Sequence, residues 1–197
     1  MPVPLLDDAR QLLEAREAAI CQVVLAAWDQ WWNNPERLTL YRRTRATLVH
    51  NYIMNLARPA FAGDIGIYPV EKQETIFFVA DQKLVFRFKK GDDIGLSSNI
   101  DTQAALAFND PQHNLPELPD VGRVDIAYVL NPFETLVDRI LVVTRDGDRV
   151  VWSYTIYPRP AEYALPIPLP TRPSPPASAA DVVRLPPVAS EKEEKSN

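Results

Sequence analysis

The sequence is short of cysteine, histidine and glycine, and each shortage removes a class of function. Among 197 residues there are one cysteine (Cys21), two histidines (His50 and His113) and six glycines. A single thiol forms no internal disulfide, and Cys21 lies in an apolar helical stretch, so an inert buried thiol in a reducing compartment is expected. No Gly-rich phosphate loop, G-x-S-x-G elbow, H-E-x-x-H pair or cysteine cluster is present. Nucleotide hydrolysis, serine hydrolysis and zinc chemistry therefore have no sequence support. Long hydrophobic runs are missing too. The longest charge-free apolar stretch, Ala18 to Trp28, is interrupted by Gln22 and is far shorter than the roughly 20 residues a bilayer requires. Asp7 and Asp8 stand where a secretory signal carries positive charge. The expectation is a cytoplasmic protein with no membrane partner and no cofactor, and not an enzyme.

An excess of positive charge is also lacking. The net charge is -5, and residues 158–197 hold five charges of each sign, so the imbalance sits on residues 1–157, with 16 Lys and Arg against 21 Asp and Glu. An acidic body is poorly suited to releasing counterions from a phosphate backbone, so direct binding of nucleic acid is not expected. Proline is what the sequence has in excess: 19 in all, ten of them between Pro158 and Pro187. With a hydrophobic fraction of 46% and 24% charged residues, residues 1–157 suit a single globular domain, and 158–197 reads as a disordered, Pro-rich tail.

Leu6, Ala9, Leu13, Ile20, Val24, Ala27 and Trp31 recur at helical spacing and predict one amphipathic helix from Leu6 to about Trp32. On that pattern Trp31 belongs to the core and Trp32 to the surface. Asn33-Asn34-Pro35 ends the helix. A second helix is predicted from Pro35 or Glu36 to about Arg58, with Pro59 just past its end, Tyr41, Leu48, Tyr52 and Leu56 on one face, and Arg42, Arg43 and Arg45 near its middle. After Gly63 the period changes to two, with strands predicted over Ile65 to Val70, Thr75 to Val79, Leu84 to Phe88, Val124 to Leu130, Thr135 to Thr144 and Val150 to Ile156. Ala80 to Lys83 and Arg145 to Asp148 suit hairpin connections, and the Asp-Gly pair of the latter suits a type I′ turn. The fold class predicted is α+β: two N-terminal helices followed by an antiparallel sheet. A long connection at about residues 90–123 separates the two halves of the sheet and is the expected place for a functional segment.

Chemistry-bearing residues are sparse. His50 and the Arg42, Arg43 and Arg45 cluster would serve an RNase-like activity on nucleic acid, with Arg87, Lys89 and Lys90 as a second small basic cluster. Asp64, Glu74 and Lys89 make only a loose version of a metal-nuclease set. Trp28, Trp31 and Trp32 would serve a plain interaction module. The most distinctive segment is Gln103-Ala104-Ala105-Leu106-Ala107-Phe108, a Q-x-x-L-x-F hexapeptide. It combines an amide that both donates and accepts with two apolar anchors, Leu106 and Phe108, separated by small residues that let the chain lie close to a partner. The same residues also suit a short amphipathic turn, capped by Asp101 or Thr102, that tucks Leu106 and Phe108 under the sheet. A weaker string, Gln82 to Phe86, runs into a predicted strand whose backbone is already paired.

The hexapeptide resembles the motif by which bacterial polymerases and repair proteins dock on the β sliding clamp. Together with the acidic body, the long loop and the Pro-rich tail, it resembles the SocB-type DNA replication inhibitor toxins of toxin-antitoxin systems. The resemblance implies a toxin that binds the clamp through Gln103, Leu106 and Phe108, displaces polymerase and repair factors and blocks elongation. It also implies a SocA-like antitoxin that acts as a proteolytic adaptor and delivers the toxin to the ClpXP protease.

Overall fold

The computed structural model describes residues 3–72, 75–97, 107–110 and 118–158. The first helical stretch is two helices, α1 (Leu6–Leu13) and α2 (Glu17–Trp32), joined by a 3-10 turn at Glu14–Arg16. The expected single helix breaks there because the Arg16 guanidinium donates to the Leu12 carbonyl at 2.7 Å, taking the acceptor that a continuous ladder would give to its own backbone N–H. Ala9, Leu13, Ile20, Val24, Ala27 and Trp31 are buried as the periodicity predicts, and Trp32 is partly exposed.

Helix α3 (Arg42–Phe61) starts later than expected. The Asn34 side chain accepts from the Glu36 N–H at 2.8 Å, and backbone bonds from Arg37 to Asn34 and from Thr39 to Glu36 spend residues 34–39 on consecutive turns. Arg42, Arg43 and Arg45 therefore lie in the first turn rather than mid-helix, and Pro59 lies inside the last turn rather than beyond it. The buried face is Val49, Ile53, Met54, Ala57 and Phe61, with Leu48, Tyr52 and Leu56 at its margin and Tyr41 outside.

Six strands follow: β1 (Ile67–Lys72), β2 (Thr75–Ala80), β3 (Leu84–Lys90), β4 (Gly122–Leu130), β5 (Val137–Asp146) and β6 (Arg149–Tyr157), in that spatial order in one sheet. The fold is α+β, and all neighbouring pairs are antiparallel except β3 and β4, which run parallel from Leu84↔Gly122 to Lys90↔Tyr128. That pair departs from the expected antiparallel order and explains the length of the connection, because a parallel neighbour is reached only by a crossover that returns the whole length of the strand. The β2–β3 turn has positive φ at both Asp81 and Gln82, as a type I′ turn needs. At β5–β6 the central pair is instead Gly147-Asp148 with positive φ at Gly147, which is the glycine-first pattern of a type II′ turn rather than the type I′ expected.

Helices cover one face of the sheet, and the main core packs Phe78, Phe86, Phe88, Ile126 and Val142 against Ile20, Val24, Ile53 and Phe61. The crossover covers part of the other. Strand β4 is buried along its whole length, which only a sheet covered on both sides allows. Strands β2 and β3 pair over just Phe78–Ala80 and Leu84–Phe86, although β2 begins at Thr75 and β3 continues to Lys90. The sheet thus opens between them beyond Phe78 and Phe86.

The crossover re-enters the sheet at Gly122, where a Cβ would lie 2.6 Å from the Pro4 ring, itself fixed by a 2.8 Å bond from Trp152 Nε1 to the Pro4 carbonyl. Gly122→Ala is expected to cost about 1–3 kcal/mol in chemical denaturation, by overpacking a rigid ring rather than a flexible side chain.

Candidate functional site

Side chains alternate along a strand, so the face away from the helices receives Phe77 and Val79 of β2, Val85 and Arg87 of β3, and Arg123 and Asp125 of β4. Ala107–Asn109 form one helical turn over this face. Phe108 is 4% exposed and belongs to a small cluster with Phe77, Val79, Val85 and Leu118, separate from the main core. Its ring stacks on Phe77 with centroids 5.4 Å apart, and the Arg87 guanidinium lies 3.8 Å above its centroid. Phe108 therefore covers the place where β2 and β3 part.

Polar bonds hold the same turn. Arg123 Nη1 donates to the carbonyls of Ala107 (2.8 Å) and Phe108 (3.2 Å), and Arg87 Nη2 donates to Asn109 Oδ1 at 3.1 Å. The Gly147 N–H donates to the Asn109 carbonyl at 2.9 Å. Arg87 is held in turn by Asp125, its register partner across the parallel pair, with Nε to Oδ1 at 2.6 Å and both side chains almost wholly buried. Burial lowers the Arg123 guanidinium below its usual value. Lys89, partly buried, is brought down to about 8 by burial and by the positive charge of Arg87, against the pull of Asp125. His50 on α3 is lowered to about 4, first by burial and then by the charges of Lys89 and Arg87.

Of the residues singled out in the sequence, Phe108 is placed in this cluster, whereas Gln103 and Leu106 lie outside the described residues, as do His113, Glu74 and the tail from residue 159. Leu84, Val85 and Phe86 of the weaker string are buried in β3. Part of the basic cluster is engaged, while Arg42 and Arg43 are exposed. Arg45 reaches Glu134 Oε2 at 2.6 Å, Lys90 reaches Glu134 Oε1 at 3.0 Å, and Arg42 approaches the same carboxylate at 3.6 Å. Asp64 is bound to Arg16 near the start of β3, roughly 17 Å along the strand from Lys89, so the loose nuclease set is not assembled. Cys21 is buried, with Sγ 3.5 Å from the Ile156 carbonyl.

Glu134, Asn109 and Arg123 escaped sequence reasoning. Glu134 occupies a positive-φ position in the β4–β5 turn, where Asn131 Oδ1 accepts from the Thr135 N–H at 2.7 Å. An Asn-x-x-x-Thr turn is legible in a sequence, but the arginine and lysine that converge on it come from α3 and β3. Hydrogen bonds from Arg45 and Lys90 hold the Glu134 carboxyl down at about 2.

Comparison with protein-family models, with curated proteins and with solved structures finds no match to this chain. No helix among the described residues is long and apolar enough to cross a membrane.

Two of the perturbed groups, His50 and Glu134, act in separate pH ranges. His50 is neutral in the fold and titrates near 6.5 when unfolded, so the unfolded state binds more protons and stability falls as pH drops from about 6.5 to about 4. His50→Leu should flatten that interval in urea-denaturation midpoints. Glu134 contributes fully above about pH 5 and loses its contribution as pH falls towards 2. Glu134→Gln should therefore cost about 1–3 kcal/mol at pH 7 and progressively less below pH 4.

Proposed function

We propose that the chain inhibits DNA replication by binding rather than by catalysis: the hexapeptide at 103–108 enters the peptide pocket of the β sliding clamp, with Gln103 as the amide and Leu106 and Phe108 as apolar anchors, and competes with polymerase and repair factors. In the same reading a SocA-like adaptor delivers the chain to ClpXP. The observation that carries the proposal is how the motif is attached. Its described end, Phe108, packs with four other buried residues in a satellite cluster, so its release would take no residue from the main core. The competing RNase-like reading loses Arg45 and Lys90 to Glu134, while Arg42 and Arg43 keep positive charge on that surface.

This mode of action requires Phe108 to exchange one apolar site for another. Burial of a phenylalanine contributes about 1.5–3 kcal/mol, and the stacked Phe77 adds about 1 kcal/mol, so occlusion weakens clamp binding by roughly a hundredfold to a thousandfold relative to an exposed motif.

Binding of the full chain to purified β clamp, measured by calorimetry, tests both points. Gln103→Ala should weaken binding at least several-fold while leaving thermal unfolding unchanged, because the amide's pocket partners lose about 1–3 kcal/mol. Phe77→Ala, which loosens the resting site, should strengthen clamp binding about tenfold even though it destabilises the fold. Absence of clamp binding by the wild-type chain and by the Phe77→Ala variant would overturn the proposal.

A further inference from the structure

A groove of about 1020 Å³ lies at the end of the sheet where β3 and β4 begin. One wall is Leu5 and the face of α1 that carries Ala9 and Leu12, and the other is Leu84, Val121 and Gly122. Both walls are fixed. The Trp152 bond and the absence of a side chain at Gly122 seat Pro4 against the sheet, so the N-terminal segment leading into α1 is a built edge. At the far end Arg16 joins Asp64 and Asp81, each at 2.7 Å, bracing the α1–α2 turn against the segment before β1 and the β2–β3 hairpin.

The charge around this apolar floor has one sign in excess. Asp8, Asp64, Asp81 and Asp120 line the groove, against Arg16 and Lys83. The bonds from Arg16 hold Asp64 and Asp81 below the ordinary carboxylate range, so they remain ionised at neutral pH and the lining carries two net negative charges. Leu5, 70% exposed, is a large aliphatic side chain at its mouth. A volume of about 1020 Å³ lies at the upper end of the range of small-ligand pockets, and an open groove of this size also holds a few residues of peptide. An apolar floor with a negative rim selects an occupant that is aliphatic along one side and cationic along the other.

We propose that this groove docks a short basic segment of a partner protein, with leucine-type side chains against the accessible apolar lining of Leu5, Leu12 and Val121, and with lysine or arginine facing Asp8 and Asp120. The proposal is independent of the clamp reading, since it uses none of the residues at 103–108.

The test is titration of the ¹⁵N-labelled full chain with an acetylated, amidated hexapeptide in which each arginine is followed by two leucines, and with its counterpart carrying glutamate in place of arginine. Amide shifts are expected at Leu12, Leu84 and Gly122 with the arginine peptide, weakening several-fold from 50 to 300 mM salt, and none with the glutamate peptide. Ala15→Trp, which puts an indole into the groove from an exposed position, should weaken binding at least tenfold. The paired Asp8→Asn and Asp120→Asn changes should weaken it several-fold and remove most of the salt dependence. Both variants should unfold at the wild-type temperature within a few degrees. Shifts confined to other surfaces, equal binding of the two peptides, or no shift at millimolar peptide would overturn the proposal.

Discussion

The parallel pairing of β3 with β4 is the constraint on which the rest of the architecture depends. Two neighbouring strands that run the same way force the chain to travel back the length of β3, about 23 Å for its seven residues, before β4 can start. The helices already occupy one face of the sheet. The described parts of the crossover lie on the other: Gly95 against Leu141 and Val143, and Phe108 against Phe77. Both faces of the middle strands are thereby taken out of water. That is why β4 reads as a nearly continuous apolar run and why Arg87, Arg123 and Asp125, which a half-exposed sheet would show to solvent, are buried.

Burying those charges carries a cost that shapes the site. An ion pair taken out of water gains little over a well-packed apolar pair, but a guanidinium left without its carboxylate is strongly destabilising. Arg87 and Asp125 are therefore locked to one another by register. The planar guanidinium then has one edge for Asn109 and one face for Phe108. Arg123 works in the same direction through the carbonyls of Ala107 and Phe108. Residues 107–109 are held both by directional bonds from Arg87, Arg123 and Gly147 and by the burial of Phe108, an attachment with a defined geometry.

What could be read in the sequence was whatever local periodicity determines. The buried positions of α1 and α2, the six strands to within a few residues and the burial of Trp31 with exposure of Trp32 all follow from the spacing of apolar side chains. The bend at Arg16 was not legible, because its cause is a side chain that also reaches Asp64 and Asp81, far away in sequence. The late start of α3 was missed because Asn34 competes for the backbone with a side-chain bond whose strength no propensity conveys. Strand direction is invisible to a period of two, so β3 and β4 looked like members of one meander. Phe108 was legible as an apolar anchor, and the sequence allowed both of its homes, a partner's pocket or the underside of the sheet. Its burial depends on Phe77 and Arg87, brought to it by the crossover.

The motif and the groove meet along that same crossover. Val121 packs against the cluster that holds Phe108 and also lines the groove beside Leu84 and Gly122. Leu118, three residues earlier, is buried with Phe108 itself. A close-packed cluster does not give up one aromatic ring and leave its other members where they were, since the lost contacts are recovered only by movement of the neighbours. Displacing Phe108 from Phe77 therefore disturbs the seat of Leu118 and Val121, and through Val121 one wall of the groove. Conversely, an occupant that presses on Val121 bears on the seat of Phe108. The two surfaces share a wall, and the stability of the small cluster between them sets how far a change at either is felt at the other.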